Sequence, residues 1–150
     1  MSKVDQLWHI FEEEVRRRPD FFQIRGPGVG DRYSREFVEA VSQRAQNVFQ
    51  ADYSEHLVHA DSGLRFDYFF PDEHTAVEIA LSLRNSASEF ERDILKCLIA
   101  KKAGSHIDRL EFFTKSPAMV QLNSPAKREM KKCVKEHFGL DIDTREIGPE

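Results

Sequence analysis

The sequence predicts an α/β domain, because its hydrophobic spacing changes twice along 150 residues. Apolar positions recur at helical spacing from Val4 to Phe49, alternate with period two from about 56 to 83, and return to helical spacing from 88. Gly, Pro, Asn and Asp cluster at the changes, where turns are needed. With 40% hydrophobic and 32% charged residues, one core of ordinary size is expected.

Each element follows from its own residues. Val4, Leu7, Trp8, Phe11 and Val15 share one face of a first helix, and Pro19 stops it. The stretch RGPGVGDRYS, 25–34, is turn-rich; Ser34 can cap a second helix carrying Phe37, Val38, Val41, Ala45, Val48 and Phe49, which runs to about Gln50. GPGVG matches neither GxGxxG nor a P-loop and reads as a connector. HLVHA, LRFDYFF and TAVEIALSL, separated by DSG and PDEH, read as a three-stranded antiparallel meander over 56–83. A helix over 88–103, a strand over 109–115 (RLEFFTK), a helix opened by Ser124-Pro125 and closed by Gly139, and a last strand LDIDTREI complete the order ααβββαβαβ. No internal repeat or linker interrupts it, so a single domain over 1–150 is expected.

Composition narrows the function. A formal net charge of -4 supplies no bulk attraction to nucleic acid or anionic membrane, so phosphate binding would need a local basic patch. Cys97 and Cys133 have no metal-ligand spacing and read as reduced thiols. No apolar run approaches the roughly 18 residues of a membrane span, and the N-terminus is broken by charge every few residues. A cytoplasmic protein with no membrane partner and no targeting segment is expected.

The stretch RFDYFFPDEHTAVEIAL, 65–81, carries the chemistry. If Pro71 to His74 form a four-residue loop, Phe70 faces Thr75, and counting back places Asp67 opposite Glu78. Opposed residues share a face with Cβ atoms about 5 Å apart, where two like charges repel unless a counter-charge intervenes. Leu64, Phe66, Tyr68 and Phe70 with Val77, Ile79, Leu81 and Leu83 would form one apolar face, leaving the carboxylates with Arg65, Phe69, Ala76, Ala80 and Ser82 on the other. A wet face would explain two carboxylates with no further role. A partly covered one suits Mg²⁺, which prefers oxygen ligands and takes one or two protein carboxylates.

Asp67, ten intervening residues, Glu78, one residue and Ala80, followed by a helix and a strand, resemble the PD-(D/E)XK nuclease superfamily, the restriction-endonuclease-like fold, over roughly 34–115. The resemblance implies a mixed central sheet flanked by helices, with Asp67 and Glu78 as ligands of Mg²⁺ or Mn²⁺. It departs from the motif at Ala80, where the family has lysine, and Pro71-Asp72 lies after Asp67 instead of forming the motif's own dipeptide. Candidates to replace the lysine are Arg84, further along the strand, and Lys101 on the following helix. Lys96 is less attractive, because at 100° per residue from Phe90 it points about opposite the apolar stripe.

On that helix Ile94, Leu98 and Leu95 lie near 40°, 80° and 140° from Phe90, and Glu91 lies near 100°, inside the arc. Glu91 either closes a capping box with Ser88 or, if Ser86 and Glu89 form the box, is free to serve the site. Lys127, Arg128, Lys131, Lys132 and Lys135 make a cationic surface on the last helix, with Ala126, Met130 and Val134 as its buried side. It is either a solvated face or a DNA-binding one, for which counterion release would make binding salt-dependent. His56 approaches Asp67 in one hairpin register and not in the neighbouring one, and DSG permits both. The resemblance implies a Mg²⁺-dependent DNA endonuclease, with a homodimer also expected from it. The alternative is a catalytically silent protein of the same fold, acting as a nucleic-acid-binding or protein-interaction module, for which Ala80 speaks.

Overall fold

The computed structural model of the protein describes residues 1–23, 29–81, 86–116 and 118–149. It falls into two compact units, Met1–Tyr53 and Ser54–Gly148. The first contains α1 (Lys3–Arg16) and α2 (Val29–Phe49). Ser2 caps α1, its Oγ accepting the Asp5 amide at 3.0 Å. Phe11 meets Phe37 edge-on at 5.2 Å between ring centroids, and the Arg44 guanidinium pairs with Glu13 and Glu14. Helix α2 starts before the expected cap Ser34, which therefore sits in its interior. Serine costs a helix interior only a few tenths of a kcal/mol, so a capping residue does not force a start.

The second unit is a five-stranded mixed sheet in the order β1 (Ser54–His59), β2 (Leu64–Phe70), β3 (Thr75–Ala80), β4 (Arg109–Lys115), β5 (Asp141–Ile147). The first three strands are antiparallel neighbours, and β3, β4 and β5 run parallel. Helix α3 (Ser86–Lys102) connects β3 to β4, while α4 (Ala118–Leu122) and α5 (Pro125–Phe138) connect β4 to β5. Parallel neighbours require such crossovers. Ser124 caps α5, accepting the Lys127 amide at 3.3 Å, and Gly139 closes it in the left-handed region at φ 65°. The five-residue α4 was not expected, because barely more than one turn shows no period.

The β2–β3 register is the expected one: Phe70 faces Thr75, Phe69 faces Ala76 and Tyr68 faces Val77. Beyond Tyr68 the ladder changes character. Asp67 accepts the Ile79 amide through Oδ2 at 2.7 Å, so a side chain takes a donor that a regular ladder would give to backbone. Side-chain alternation slips here. Phe66 packs with Phe69, their rings 6.1 Å apart, in the buried cluster that Phe90, Ile94 and Cys97 of α3 complete. The expected continuous face of Leu64, Phe66, Tyr68 and Phe70 is therefore divided: Leu64 and Phe66 join the cluster under α3, and Tyr68 and Phe70 do not. The carboxylate strand positions end up beneath a helix.

Candidate functional site

Glu78 shares its sheet face with Ala76, which the cluster under α3 buries, and its parallel neighbour across the ladder is Phe112. A carboxylate there needs a partner, since burying an isolated charge is costly. The partner comes from α3. Lys96 Nζ donates to Glu78 Oε1 and to the backbone carbonyl of Arg65 at 2.8 Å, and it lies 2.9 Å from Asp93 Oδ1 as an ion pair off the hydrogen-bond axis. The side chains of Lys96, Glu78 and Asp93 are 8%, 6% and 7% exposed. Three strongly hydrophilic groups are thus held at the junction of β2, β3 and α3.

They line an open cleft of about 370 Å³ whose walls also carry Asp67, Glu89, Arg65 and Arg92. Four carboxyl groups share the cleft with one deeply buried ammonium and the Arg65 and Arg92 guanidiniums. Burial, with the Asp67 and Asp93 carboxylates adding, pushes the Glu78 carboxyl far above the usual range against the pull of Lys96. Asp93 is raised by burial despite the charge of Lys96, and half-buried Glu89 is also raised mainly by burial. Burial alone would lower the Lys96 ammonium, but Glu78 and Asp93 outweigh it and hold it above its ordinary value. The Asp67 carboxylate thus lies close enough to Glu78 to disfavour its ionisation, which is where a cation would be favoured.

Asp67 and Glu78 are brought together as expected, and Ala80 lines the same cleft. Glu91 is exposed and does not line it, which corrects its placement on the covered side of the helix. The arc was drawn through Leu95, and Leu95 proves 56% exposed. The buried arc instead runs through Asp93, Cys97 and Phe90, about 60° to the other side of Phe90. Lys96 therefore points inward, the opposite of its expected direction. The missed residues Glu89, Asp93 and Lys96 are spaced four and three apart, one stripe of a helix, and that spacing was the available signal. Lys101 is half-buried and does not line the cleft. Arg84, like the side chains of Ser86 and Ser88, lies outside the described residues.

His56 faces Phe66 and tilts over Phe69 at 4.7 Å, where burial lowers its pKa, and it does not line the cleft. On α5 the expected buried side is only partly right: Val134 is buried, but Ala126 and Met130 are exposed. Lys127 and Lys131 are half-buried, the Lys127 ammonium lying 5.9 Å from the centre of the Phe90 ring and Lys131 donating to Asn123 Oδ1 at 3.2 Å. Arg128, Lys132 and Lys135 are exposed, and Lys135 pairs with Asp141 at 2.9 Å. No helix among the described residues is long and apolar enough to cross a membrane. Comparisons with protein-family models, curated proteins and solved structures find no match to this chain.

Proposed function

We propose that the chain is a Mg²⁺- or Mn²⁺-dependent DNA endonuclease of the restriction-endonuclease-like kind, with Asp67 and Glu78 holding the metal and Lys96 replacing the lysine absent at Ala80. The observation that carries this reading is the delivery of the Lys96 ammonium by α3 to Glu78, two residues before Ala80 on the strand. The donor set fits a hard divalent cation, because the Asp67 and Glu78 carboxyl groups line one cleft and such an ion takes oxygen ligands from one or two carboxylates. When bound, the metal would polarise a phosphoryl oxygen and acidify a water.

The chain's own residues divide the remaining work. Lys96 holds a positive charge beside the carboxylates and, with a metal held by Asp67 and Glu78, would be the residue to hydrogen-bond the attacking water or a phosphate oxygen. Arg65 and Arg92 line the cleft and, in this reading, would supply positive charge to the phosphates flanking the scissile bond. The exposed Arg128, Lys132 and Lys135 of α5 extend the cationic surface for the duplex. A homodimer would let two such clefts cut both strands.

One observation favours a second reading. Lys96 already donates to Glu78 and the Arg65 carbonyl and forms an ion pair with Asp93, which is how a buried ion pair that replaces a metal would look. In that reading the protein is a catalytically silent binding module. Cleavage of supercoiled plasmid in Mg²⁺ or Mn²⁺ separates the two. The nuclease requires nicking that is lost in Asp67→Asn, Glu78→Gln and Lys96→Met. No nicking by the parent, or equal nicking by all four proteins, supports the second reading.

A further inference from the structure

We propose that His74, His106 and Asp108 form a separate binding site for a borderline divalent transition-metal ion, of which Zn²⁺ is the reference. The three side chains converge from two loops, one before β3 and one before β4. His74 Nδ1 lies 3.2 Å from Asp108 Oδ2, and His106 Nε2 lies 3.1 Å from Asp108 Oδ1. All three ligand atoms fall within 4.8 Å of one another. A tetrahedral ion with bonds of 2.0–2.1 Å needs its donor atoms about 3.4 Å apart, so the cluster is already near the required spacing.

Ligand type separates this site from the cleft. Two imidazoles and one carboxylate suit Zn²⁺, Co²⁺, Ni²⁺ or Cu²⁺, whereas the cleft offers only carboxylates as charged oxygen ligands, which suits Mg²⁺. The two lie apart: β3 begins at Thr75, just after His74, and Glu78 lies three residues along it, roughly 10 Å. Two of the three ligands are anchored by backbone. His74 ends the turn in the left-handed region at φ 49°, and its carbonyl accepts the amides of both Asp108, at 2.8 Å, and Arg109, at 3.3 Å. The Asp108 carbonyl in turn accepts the Asp141 amide at 2.9 Å. The third ligand, His106, is 65% exposed and turns without disturbing the core. Its ring stacks on His74 at 3.7 Å and 17° from parallel, so the ion seats when His106 swings its nitrogen toward the pair formed by His74 and Asp108. Three protein ligands leave a fourth position for water. A bound ion would tie the loop between α3 and β4 to the turn before β3.

The test is a Zn²⁺ titration of the full chain in competition with a colorimetric chelator, followed by Co²⁺ absorption as a readout of nitrogen ligation. The parent should take up one Zn²⁺ at about micromolar affinity, and about 10 mM Mg²⁺ should not displace it. His106→Ala and Asp108→Asn, both exposed positions, should each weaken binding by about tenfold or more. Glu78→Gln should leave it unchanged. Absence of binding at about 100 μM Zn²⁺, or equal affinity in parent and His106→Ala, would overturn the proposal.

Discussion

Lys96 on α3 donates to the backbone carbonyl of Arg65 on β2 at 2.8 Å, so the helix is bonded to a strand through the ammonium that also meets Glu78. One cation therefore serves the packing of α3 and the electrostatics of the cleft. Replacing it separates the two roles.

Lys96→Met should destabilise the protein by about 3 kcal/mol at pH 8, because removing one member of a buried ion pair leaves the other uncompensated. The loss should shrink at pH 5, where Asp93, whose carboxyl burial raises, more readily takes up a proton in its place. Urea unfolding at the two pH values measures it. A loss that is the same at both would mean the ammonium acts through packing alone.

The raised Glu78 carboxyl also sets a pH dependence for the metal-free protein. A group whose pKa is higher folded than unfolded binds more protons when folded, so its contribution is complete below about pH 4.5 and is lost as pH rises toward the folded value of about 10. In chelator, the melting temperature should fall across that window, and Glu78→Gln should flatten the decline. Bound Mn²⁺ should reverse the trend, since the ion displaces protons and its affinity grows with pH. Mn²⁺ stabilisation that is independent of pH would place the ion elsewhere.

Asp67 has a backbone duty besides any metal. Asp67→Asn keeps an oxygen for the Ile79 amide and should leave the metal-free fold as stable as the parent, or more so, while abolishing stabilisation by Mn²⁺. Asp67→Ala leaves that amide without its acceptor and should cost about 1–2 kcal/mol. Equal stability of the two variants in chelator would show that the amide finds another partner.

Charge reversal on α5 should act through exposed positions. Arg128→Glu with Lys132→Glu should weaken DNA binding and reduce the slope of log affinity against log salt by about 2, if both meet phosphate. Lys131→Glu should instead lower stability, because Lys131 is half-buried and bonded to Asn123. An unchanged slope in the double variant would make α5 an ordinary solvated surface.

The two cysteines should differ in reactivity. Cys133 is exposed, whereas Cys97 is buried and its thiol is pushed up by burial and by the nearby Glu78 and Asp93 carboxylates. A thiol reagent should modify one site in native protein and two in denaturant. Rapid modification of both in native conditions would show that α3 opens readily.

Strand positions and the register between β2 and β3 were legible in the sequence because period two, a Pro-Asp turn and the loop length fix them locally. Asp67 and Glu78 followed from that register. The orientation of α3 was not legible, because its buried arc mixes Phe90 and Cys97 with Asp93 and Lys96, and hydrophobicity alone turns it toward Leu95. The slip at Phe66 was hidden for a related reason: it depends on a side chain, Asp67, taking a donor across the ladder. The His74, His106 and Asp108 cluster joins two loops that only the parallel pairing of β3 with β4 brings together. Local pattern reports what neighbours in sequence do, and these features depend on distant partners.

Strand β3 has an antiparallel neighbour on one side and a parallel one on the other, and this sets the order in which the cleft can assemble during folding. The β2–β3 hairpin closes through a turn of a few residues, whereas pairing with β4 must wait for α3 to cross over. Asp67 and Glu78 thus meet early, on an open hairpin where water screens their repulsion. Docking of α3 then removes that water and delivers Lys96 in the same step. The ammonium arrives when the carboxylates lose their solvent, so the last stage of folding never has to bury their charge unaccompanied.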